Sequence, residues 1–517
     1  MRDEVFKGCS MGDLIVTAVQ RGGDRDAFVL GDAHTTYRQM GQQISQIIQC
    51  LDSLGVQPGD TIATLSSNRP EAFFISAAAY VRGWRVLWMN PMSSLDDHCF
   101  QVADAGVSCM VVDPLPFGER AMQIARTQAQ PLQLLGLGPW GAQMDLLAQM
   151  QSFTPLPLVS SSHEDDDSAL VYTGGTTGKP KGVLHTHRVS VAMALMQMAD
   201  FDWPSQPRFL AMTPITHAAG ALIPPVLMRS GTVIMHPGFD VKTFCHLVER
   251  HRVNCTFMVP TMIYVLLDSP VRQDHDLRSL ETLIYGAAPI LPARLAEGIA
   301  ELGPIFMQLY GQSEVPMSMT VMHKHEHDPV HHPERLSSCG TPVVGIQLAL
   351  LTDEGAPVAQ GEVGEICVKG PLVMKEYLNR PEENAYSFRH GWFYTGDLAR
   401  RDSDGYLYIV DRSKDMVITG GFNVYPREIE DVLAAHPAVA AVAVVGVPHP
   451  KWGEAVHAVV VWRPGQNAPW AELSEWVRAQ KGAIHVPKAF HAVDQLLTTG
   501  LGKVDKKAIR LQVQAML

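Results

Sequence analysis

One eleven-residue segment constrains this chain more than any other, the run 172–182, which reads YTGGTTGKPKG. It follows a short apolar run, 168–171, that is typical of a buried β-strand. Four glycines, three threonines and two lysines lie within the segment. Glycine lets the backbone turn its N–H groups closely around an anion, and threonine hydroxyls and lysine ammoniums add donors and positive charge. The composition therefore predicts a loop that binds phosphate groups.

A P-loop of nucleoside triphosphatases is the first alternative for this segment, and it reads G-x-x-x-x-G-K-[ST]. If Gly178 and Lys179 are its Gly-Lys pair, Thr173 stands where the first glycine belongs. Pro180 then stands where a Mg²⁺-binding hydroxyl is needed. Both ends of the motif fail, so a P-loop is rejected. A flexible surface loop is the structural alternative, but such a loop has no need for paired lysines.

Helix-like and strand-like patterns alternate through residues 35–113 and 209–310. Strands are predicted at 61–65, 86–88, 109–112, 232–235, 255–259 and 282–285, and helices at 37–54, 241–251 and 291–302. Such alternation predicts a parallel sheet covered by helices on both faces. Residues 114–167 hold several prolines and are predicted to be less regular.

The pattern changes twice in the last third of the chain. Residues 340–410 hold short β runs around turns, which predicts a small, mainly antiparallel subdomain. After Asp411 the pattern predicts a helix at 426–435 and strands at 439–447 and 455–461. We therefore predict an α/β fold with two domains. Residues 1–411 form a large N-terminal domain of doubly wound parallel sheets plus the β subdomain, and 412–517 form a small α+β C-terminal domain.

Charge and cysteine usage exclude several classes of protein. The net charge of −12 argues against nonspecific binding to nucleic acid or to an anionic membrane. It also requires that any phosphate site be made positive locally. The eight cysteines are scattered without a C-x-x-C pair, the N-terminus lacks a signal-peptide core, and no apolar run approaches the length of a membrane span. We expect a soluble, reduced, cytoplasmic protein.

The 172–182 loop resembles the phosphate-binding loop of the adenylate-forming superfamily, which includes acyl-CoA synthetases, peptide-synthetase adenylation domains and luciferases. Further segments resemble the other motifs of that superfamily and follow in the same order. They are 214–220 (PITHAAG), 285–289 (YGAAP), 310–314 (YGQSE), 394–397 (YTGD), 411–415 (DRSKD) and 500–503 (GLGK). One such match is weak evidence, whereas the whole set in order is strong evidence.

The resemblance implies a fold, an activity and a set of site residues. It implies catalytic roles for Lys503, Glu314, Thr173 and His217, and it makes Glu314 and Thr173 the expected Mg²⁺ ligands. The residues expected to bind the nucleotide are Thr173, Gly174, Gly175, Thr176, Thr177, Gly178, Lys179, Lys181, Gly286, Ala287, Ala288, Tyr310, Gly311, Ser313, Glu314, Asp397, Arg412, Lys414, Gly420, Gly421 and Lys503. Lys414 also lies in the motif where relatives place the hinge between their domains.

The chemistry of adenylation requires residues of these types, independently of the resemblance. A carboxylate that attacks the α-phosphate of ATP brings two anions together and expels pyrophosphate, so charge must be neutralised and the groups aligned. Glu314 suits Mg²⁺ because hard cations prefer carboxylate oxygen, and Lys503 can contact both the acid and the α-phosphate as a mobile point charge. Asp397 can accept hydrogen bonds from both ribose hydroxyls, and Tyr310 can stack on adenine.

Each of these residues also has a simpler structural explanation. Asp397 could be an ordinary turn carboxylate, Glu314 a residue at a helix N-terminus, and Lys503 one solvated lysine beside Lys506 and Lys507. The histidine-rich stretch 323–332 suggests a metal site, but the superfamily pattern has no ligand set there. That stretch is expected to be an exposed loop, and the sequence leaves open whether it binds anything.

The sequence thus predicts an AMP-forming acid–CoA ligase with ATP, AMP, Mg²⁺ and coenzyme A as its ligands. It would adenylate a hydrophobic carboxylic acid, fatty or aryl, and then form the thioester with coenzyme A. Amino-acid-activating relatives place an aspartate in the acid-pocket motif, and the sequence 215–218 (ITHA) has none. An adenylating enzyme with a carrier protein as acceptor is the enzymatic alternative.

A non-catalytic nucleotide-binding protein is the alternative from another class, and the presence of Lys503 and Glu314 argues against it. Neither a nucleic-acid partner nor stable insertion into a membrane is expected. The sequence leaves open the particular acid, the pathway and whether the chain forms a homodimer.

Overall fold

The computed structural model describes residues 7–173, 180–413, 415–419, 422–498 and 504–516. These residues divide into two compact units. The larger unit holds 7–173, 180–347 and 369–386, and the smaller unit holds the described residues of 348–368 and 387–516. The domain boundary that the sequence predicts between 411 and 412 stays a prediction.

Strands and helices alternate along most of the chain. The strands are β1 (Asp26–Leu30), β2 (Ala33–Thr36), β3 (Thr61–Leu65), β4 (Arg85–Trp88), β5 (Val107–Val112), β6 (Gln133–Gly136), β7 (Met144–Asp145), β8 (Asp167–Thr173), β9 (Lys181–Thr186), β10 (Arg208–Ala211), β11 (Thr232–Met235), β12 (Cys255–Met258), β13 (Thr282–Tyr285), β14 (Phe306–Tyr310), β15 (Thr320–Met322), β16 (Thr341–Pro342), β17 (Gln347–Leu351), β18 (Gly364–Lys369), β19 (Glu376–Tyr377), β20 (Phe388–Arg389), β21 (Trp392–Arg401), β22 (Leu407–Arg412), β23 (Val417–Thr419), β24 (Phe422–Val424), β25 (Val439–His449), β26 (Gly453–Trp462) and β27 (Ala489–Ala492). The helices are α1 (Met11–Gly22), α2 (Tyr37–Ser53), α3 (Pro70–Arg82), α4 (Leu95–Asp104), α5 (Pro114–Thr127), α6 (Leu146–Gln149), α7 (His187–Asp200), α8 (Ala218–Ala221), α9 (Ile223–Met228), α10 (Val241–His251), α11 (Pro260–Asp268), α12 (Pro292–Leu302), α13 (Pro381–Ser387), α14 (Pro426–Ala434), α15 (Trp470–Lys481) and α16 (Lys506–Met516).

The first sheet of the larger unit has the strand order β16-β15-β14-β13-β12-β10-β11-β1-β2. The strands from β14 to β1 in this order are parallel. In this sheet β11 lies on one side of β10, whereas β12, β13 and β14 lie on its other side. The direction of the connections therefore reverses between β10 and β12. In open α/β sheets, ligands bind outside the carboxyl ends of the strands at such a reversal. The segments that follow these carboxyl ends are 212–217, 286–289 and 311–314.

The second sheet of the larger unit has the order β19-β9-β8-β4-β3-β5-β6-β7. The six strands β8, β4, β3, β5, β6 and β7 are parallel to one another. Strand β9 pairs antiparallel with β8, and β19 pairs antiparallel with β9 at the edge of the sheet. Asn68, which follows β3, joins the carboxyl ends of the two sheets. Its side-chain amide donates to the carbonyl of Thr213 at 2.9 Å and accepts from the backbone N–H of Ile215 at 2.9 Å.

Burial explains why these short segments become strands. Strands β3, β11, β12 and β13 are buried along their whole length, which fits continuous apolar runs covered on both faces. Helix α10 turns Phe244, Cys245 and Val248 toward the first sheet's core and keeps its charged residues outside. A fully buried side chain such as Phe244 contributes about 2–3 kcal/mol relative to leaving it in water. The predicted mixed α/β fold with parallel sheets is confirmed.

The expectation that 114–167 is irregular is wrong for its first part. Helix α5 occupies Pro114–Thr127 and buries Gly118, Ala121 and Ile124, and β5 and β6 pair in parallel beside it. Prolines lie near the start of this helix. In the first turn of a helix, however, a proline removes an N–H that has no intrahelical partner and sets a suitable φ. The same residues therefore begin a helix instead of preventing one.

The smaller unit holds two sheets. One has the order β17-β18-β21-β20 with β22 also paired to β21, and its β18–β21, β20–β21 and β21–β22 pairs are antiparallel, as predicted for this region. The other has the order β24-β23-β26-β25, with β27 parallel to β26. Helices α14 and α15 pack on one face through Leu433 and Val477, and α16 packs on the other through Ile509 and Val513. This part has the predicted α+β character. Among the residues described in both units, no helix has the length and apolarity that crossing a membrane requires.

The histidine-rich stretch is only partly the exposed loop that the sequence predicts. His327 is buried, its Nδ1–H donates to the carbonyl of His323 at 2.7 Å, and its Nε2 accepts from the Tyr285 hydroxyl at 2.9 Å. His323 lies 3.7 Å from a carboxylate oxygen of Asp200 and 3.4 Å from one of Asp202. Across the described part of the chain, no group of three or more His, Cys, Asp or Glu side chains could hold a metal ion. One neutral tautomer of His327 satisfies both ring nitrogens, so a structural role explains its burial.

Buried neutral histidines make the stability of the larger unit sensitive to acid. Burial lowers the pKa of His185, His187 and His327 to about 4. In the unfolded chain, histidine side chains bind a proton at about pH 6.5. The free energy of unfolding therefore has its full value above that pH and decreases as the pH falls toward 4. In His327→Gln, the amide can keep both hydrogen bonds without titrating. We expect a smaller acid-induced fall in the free energy of unfolding, by about 3 kcal/mol at most.

Urea unfolding of the wild type and His327→Gln at several pH values between about 7 and 4 measures this difference. His331→Gln is the matched control, since His331 lies in the same stretch with its side chain 76% exposed. Equal pH dependence of all three proteins would contradict the role assigned to His327.

Candidate active site

The carboxyl end of β13 presents bare backbone at the edge of the first sheet. A Cβ atom on Gly286 would lie 2.4 Å from the carbonyl oxygen of Leu309, so only glycine allows β13 and β14 to approach this closely here. Ala287 has a φ of +64°, a left-handed conformation that side chains other than glycine rarely adopt. Ala287 and Ala288 are exposed. Strained, exposed backbone of this kind is concentrated at ligand sites, and it suits the contact with adenine expected for 286–288.

The segment after β14 is a tight loop that delivers Glu314 to the second sheet. A Cβ on Gly311 would lie 2.5 Å from the backbone nitrogen of Met317, so the loop requires glycine. His185 on β9 donates its Nε2–H to the carbonyl of Ser313 at 2.7 Å. The backbone N–H of Met374 donates to the carbonyl of Glu314 at 2.8 Å. The backbone on both sides of the Glu314 side chain is therefore fixed.

The carboxylate of Glu314 is itself oriented by a tyrosine. The hydroxyl of Tyr377, a buried residue on β19, donates to Glu314 Oε1 at 2.8 Å. The Nζ of Lys181 lies 4.8 Å from the centre of the same tyrosine ring, a distance typical of a cation–π contact. Tyr377 thus connects the expected metal-binding carboxylate to one of the two lysines of the predicted phosphate loop.

Thr173 and Lys181 flank the central part of that loop. They face each other in the antiparallel pair β8–β9, and the Thr173 hydroxyl donates to the carbonyl of Lys181 at 3.5 Å, a weak contact. The intervening residues of the prediction, Gly174, Gly175, Thr176, Thr177, Gly178 and Lys179, lie outside the described residues. So do Lys414, Gly420, Gly421 and Lys503, and the roles expected of all of these stay predictions.

His217 lies on the loop after β10, at the edge where the strand order reverses. It is exposed, and its carbonyl accepts from the backbone N–H of Gly220 at 2.9 Å to begin α8. A Cβ on Gly220 would lie 1.8 Å from the carbonyl oxygen of Ile215, so this turn also requires glycine. The hydroxyl of Thr216 is buried and has no hydrogen-bond partner among the described residues. The loop therefore offers a polar atom at an edge where ligands bind.

In the smaller unit, Asp397 and Arg412 form a pair across β21 and β22. Their Cα atoms are register partners, and Arg412 Nε lies 3.2 Å from Asp397 Oδ1. Asp397 is buried with 5% of its surface exposed, whereas the Arg412 side chain is 49% exposed. Gly396, with a φ of +76°, donates its N–H to Glu365 Oε1 at 2.7 Å and so fixes the turn before Asp397. The structure brings together the carboxylate and the guanidinium that the sequence assigned to the nucleotide.

Oxygen donors for Mg²⁺ are present where the sequence predicts them. The Glu314 carboxylate and the Thr173 hydroxyl are hard oxygen ligands of the kind that Mg²⁺ prefers. The bond from Tyr377 uses one lone pair of Glu314, and a carboxylate has several more. The residues present therefore fit a magnesium–nucleotide ligand.

Three supporting residues escaped the sequence analysis: His185, Met374 and Tyr377. Each acts through a contact between segments far apart in sequence, with 128 residues separating His185 from Ser313 and 63 separating Tyr377 from Glu314. The pattern around Tyr377 is that of a short strand before a helix that begins at Pro381. Nothing in that local pattern indicates a partner for Glu314, so only the fold identifies it.

Similarity to known proteins agrees with this arrangement. Residues 15–378 match the AMP-binding enzyme family, and residues 428–503 match the AMP-binding enzyme C-terminal domain. The chain belongs to the AMP-binding enzyme family, which is the adenylate-forming superfamily that its motifs resemble.

Similar relatives include two named CoA ligases and one solved structure. The chain is 46% identical to the medium/long-chain-fatty-acid–CoA ligase FadD8 of Mycobacterium tuberculosis, over 96% of this chain and 89% of that protein. It is 36% identical to a feruloyl-CoA synthase of an Amycolatopsis species, over 96% and 95%. The o-succinylbenzoate CoA synthetase (MenE) from Bacillus subtilis, solved with the acyl-adenylate intermediate OSB-AMP, is 28% identical, with a TM-score of 0.84 over 96% of this chain and 97% of that one.

The hydroxyl of Tyr377 is predicted to matter for the nucleotide step. In Tyr377→Phe the ring and its contact with Lys181 remain, but Glu314 loses the donor that orients its carboxylate. A lost hydrogen bond to a charged group costs about 1.5–3 kcal/mol, so we expect a fall of roughly 10- to 100-fold in ATP–pyrophosphate exchange. The increase in thermal stability on adding Mg²⁺ and ATP should also shrink.

Tyr386→Phe is the matched control, because Tyr386 is 68% exposed and lies nine positions further along the chain. Both variants are compared with the wild type for exchange rate and for the shift in Tm on adding Mg²⁺ and ATP. If Tyr377→Phe matched Tyr386→Phe in both measurements, the orienting role would be wrong.

Proposed function

We propose that this chain is an AMP-forming acid–CoA ligase that activates a hydrophobic monocarboxylic acid. The observation that carries the proposal is the fixed Glu314 carboxylate, held by Tyr377 beside Lys181 in a chain of the AMP-binding enzyme family. The reaction has two halves. The acid first attacks the α-phosphate of ATP and releases pyrophosphate, and the thiol of coenzyme A then attacks the acyl-adenylate and releases AMP.

The site residues have different proposed roles in the first half-reaction. Glu314 and Thr173 would hold Mg²⁺, which when bound neutralises phosphate charge. Lys181 lies at one end of the predicted phosphate loop and contributes positive charge where the triphosphate is expected. Asp397, next to Arg412, provides an acceptor for the ribose hydroxyls. Within the larger unit Glu314 is fixed by Tyr377, and within the smaller unit Asp397 is paired with Arg412. Preorganised charges of this kind stabilise a transition state without reorganisation.

Coenzyme A is the proposed acceptor in the second half-reaction. Both named relatives above are CoA ligases or synthases, and a carrier protein is not favoured. A comparison of coenzyme A with a pantetheine-bearing carrier protein as acceptor separates the two possibilities. Thioester formation with coenzyme A is the expected result.

The acid is proposed to be apolar apart from its carboxylate. The segments expected to line the acid pocket, 216–222 and 286–291, are rich in alanine and glycine and hold no fixed charge. Small neutral residues leave room for a bulky apolar tail and offer no partner for a second ionic group. The names of the two relatives, a fatty-acid ligase and a feruloyl-CoA synthase, agree with such an acid.

The central experiment is a panel of acids tested for AMP release that depends on ATP and coenzyme A. We expect octanoate, dodecanoate or ferulate to give a higher kcat/KM than acetate or any amino acid, because only the larger acids fill an apolar pocket. Formation of ADP instead of AMP would contradict an adenylating mechanism. A higher kcat/KM for acetate than for octanoate and ferulate would contradict the acid class.

Lys503 is predicted to be required for adenylation. It is the cation expected to contact both reacting anions, so Lys503→Ala should lower ATP–pyrophosphate exchange by about 10²- to 10⁴-fold if the contact supplies ~3–5 kcal/mol. Thioester formation from a supplied acyl-adenylate should fall far less. Lys507→Ala, which removes an exposed lysine nearby, is the control. Unchanged exchange in Lys503→Ala would remove this residue from the mechanism.

The two half-reactions also predict a change of domain orientation. Lys503 and the pantetheine thiol need the same face of the acyl group at different times, so the C-terminal domain would have to reorient between the steps. The sequence places the hinge at Lys414. Strand β22 ends at Arg412 before it and strand β23 begins at Val417 after it, so few residues remain to absorb the change in dihedral angles.

A further inference from the structure

Lys506 and Lys507 are adjacent residues of the same type, but their side chains lie in different environments. Lys507 is exposed, whereas the side chain of Lys506 is only 21% exposed and its Nζ lies 2.9 Å from Oε1 of Glu430 on α14. The same Glu430 oxygen accepts from the backbone N–H of Val444 at 2.7 Å. The partner of Lys506 is therefore fixed by the fold and is 18% exposed itself.

Two further carboxylates surround this ion pair. Burial opposes the positive charge of Lys506, but Glu430, Asp411 and Asp415 outweigh it and raise the pKa of its ammonium. Asp411 at the end of β22 is buried and accepts from the backbone N–H groups of Arg412 at 2.7 Å and Arg427 at 3.0 Å. Lys506 is thus the cation that offsets three neighbouring carboxylates.

The chain next to Lys503 is anchored by the same part of the structure. Thr498 and Val504, on either side of 499–503, form an antiparallel bridge, and the N–H of Asp505 donates to the carbonyl of Leu497 at 2.8 Å. Asp505 also caps α16 by accepting from the N–H of Ala508 at 3.0 Å. Lys506 follows Lys503 by three positions, so its ion pair fixes described chain close to the predicted catalytic lysine.

The carboxylates around Lys506 come from both sides of the predicted hinge. Asp411 precedes Lys414, whereas Asp415 and Glu430 follow it, and Lys506 belongs to the last helix of the chain. A rotation of the following domain about 412–414 would move Lys506 and Glu430 away from Asp411. Lys506 and Glu430 both follow Lys414, so such a rotation would keep their ion pair, which fixes the start of α16 on α14.

We propose that Lys506 is a positioning residue for adenylation, which holds the start of α16, three positions after Lys503, on α14 through its ion pair with Glu430. The proposal rests on the proposed function, since it assigns Lys506 to one of the two half-reactions. Without the ion pair, the start of α16 loses a fixed contact with α14, and the chain that leads to Lys503 would be placed less precisely. Thioester formation does not use Lys503, so it does not need this arrangement.

The test measures both half-reactions in Lys506→Met, Lys506→Arg, Glu430→Gln and the control Lys507→Met. ATP–pyrophosphate exchange with octanoate or ferulate, whichever the wild type activates, reports adenylation, and octanoyl- or feruloyl-AMP supplied with coenzyme A reports thioester formation. Thermal unfolding reports the stability of each variant. We expect Lys506→Met to lower exchange by about 10- to 100-fold and thioester formation by less than about threefold. Lys506→Arg should restore most of the exchange, and Lys507→Met should match the wild type.

Glu430→Gln keeps the side-chain shape and the acceptor for Val444 but removes the charge, so it should show the same selective loss even if Lys506→Met fails to fold. Exchange in Lys506→Met and Glu430→Gln equal to that of Lys507→Met would overturn the positioning role. Parallel loss of both half-reactions with a lowered Tm would also overturn it, because that result indicates a purely structural ion pair. A wild type without exchange for any acid contradicts the proposed function instead, which keeps the two failures distinct.

Discussion

Repulsion between two anions is the physical constraint on which the proposed site depends. A carboxylate must reach the α-phosphate of a triphosphate in a chain whose own net charge is −12. Two like unit charges 4 Å apart repel by about 1 kcal/mol in water and by about 4 kcal/mol at the dielectric typical of a protein surface. The overall field of the chain does not help, so cations and hydrogen-bond donors have to be concentrated locally. Lys181, Arg412, Lys503 and the backbone of the phosphate loop are the groups that the sequence provides.

The fold of the larger unit explains how its own part of the proposed site is brought together. Carboxyl ends of parallel strands share one edge, and Asn68 ties the edge of one sheet to the loop that follows β10 in the other. Glu314 leaves the first sheet and is held by His185, Met374 and Tyr377 from the second. Glycine at 286 and 311 allows close approach of the backbone, and Ala287 keeps a strained conformation. The larger unit's part of the proposed site thus lies where its two sheets meet, although neither sheet contains all of it.

Much of the architecture could be predicted from local patterns. Strands β3, β11 and β13 were predicted with the bounds that the structure shows, because short continuous apolar runs between turn residues are typical of buried strands. Helix α5 was missed because its segment holds several prolines, and the burial of His327 was missed because a polar run suggests solvent. Both errors come from judging a residue by its type alone, without considering its position in the helix or loop.

The supporting contacts of the site could not be predicted in this way. Tyr377 and His185 reach their partners across long stretches of sequence, and a short local pattern does not report such contacts. Lys506 and Lys507 are adjacent lysines, and only the packing of α16 against its neighbours decides which one is paired with Glu430. Motifs identify the groups that touch substrates, whereas the residues that hold those groups in place depend on tertiary structure.

The central claim is that the substrate carboxylate itself attacks the α-phosphate of ATP. Octanoate or ferulate labelled with ¹⁸O in both carboxylate oxygens tests this directly, with the AMP produced in the presence of coenzyme A analysed by mass spectrometry. An acyl-adenylate transfers one labelled oxygen to the phosphate when the thiol displaces AMP, so the account predicts AMP that carries one ¹⁸O. Unlabelled AMP formed together with the thioester would contradict it.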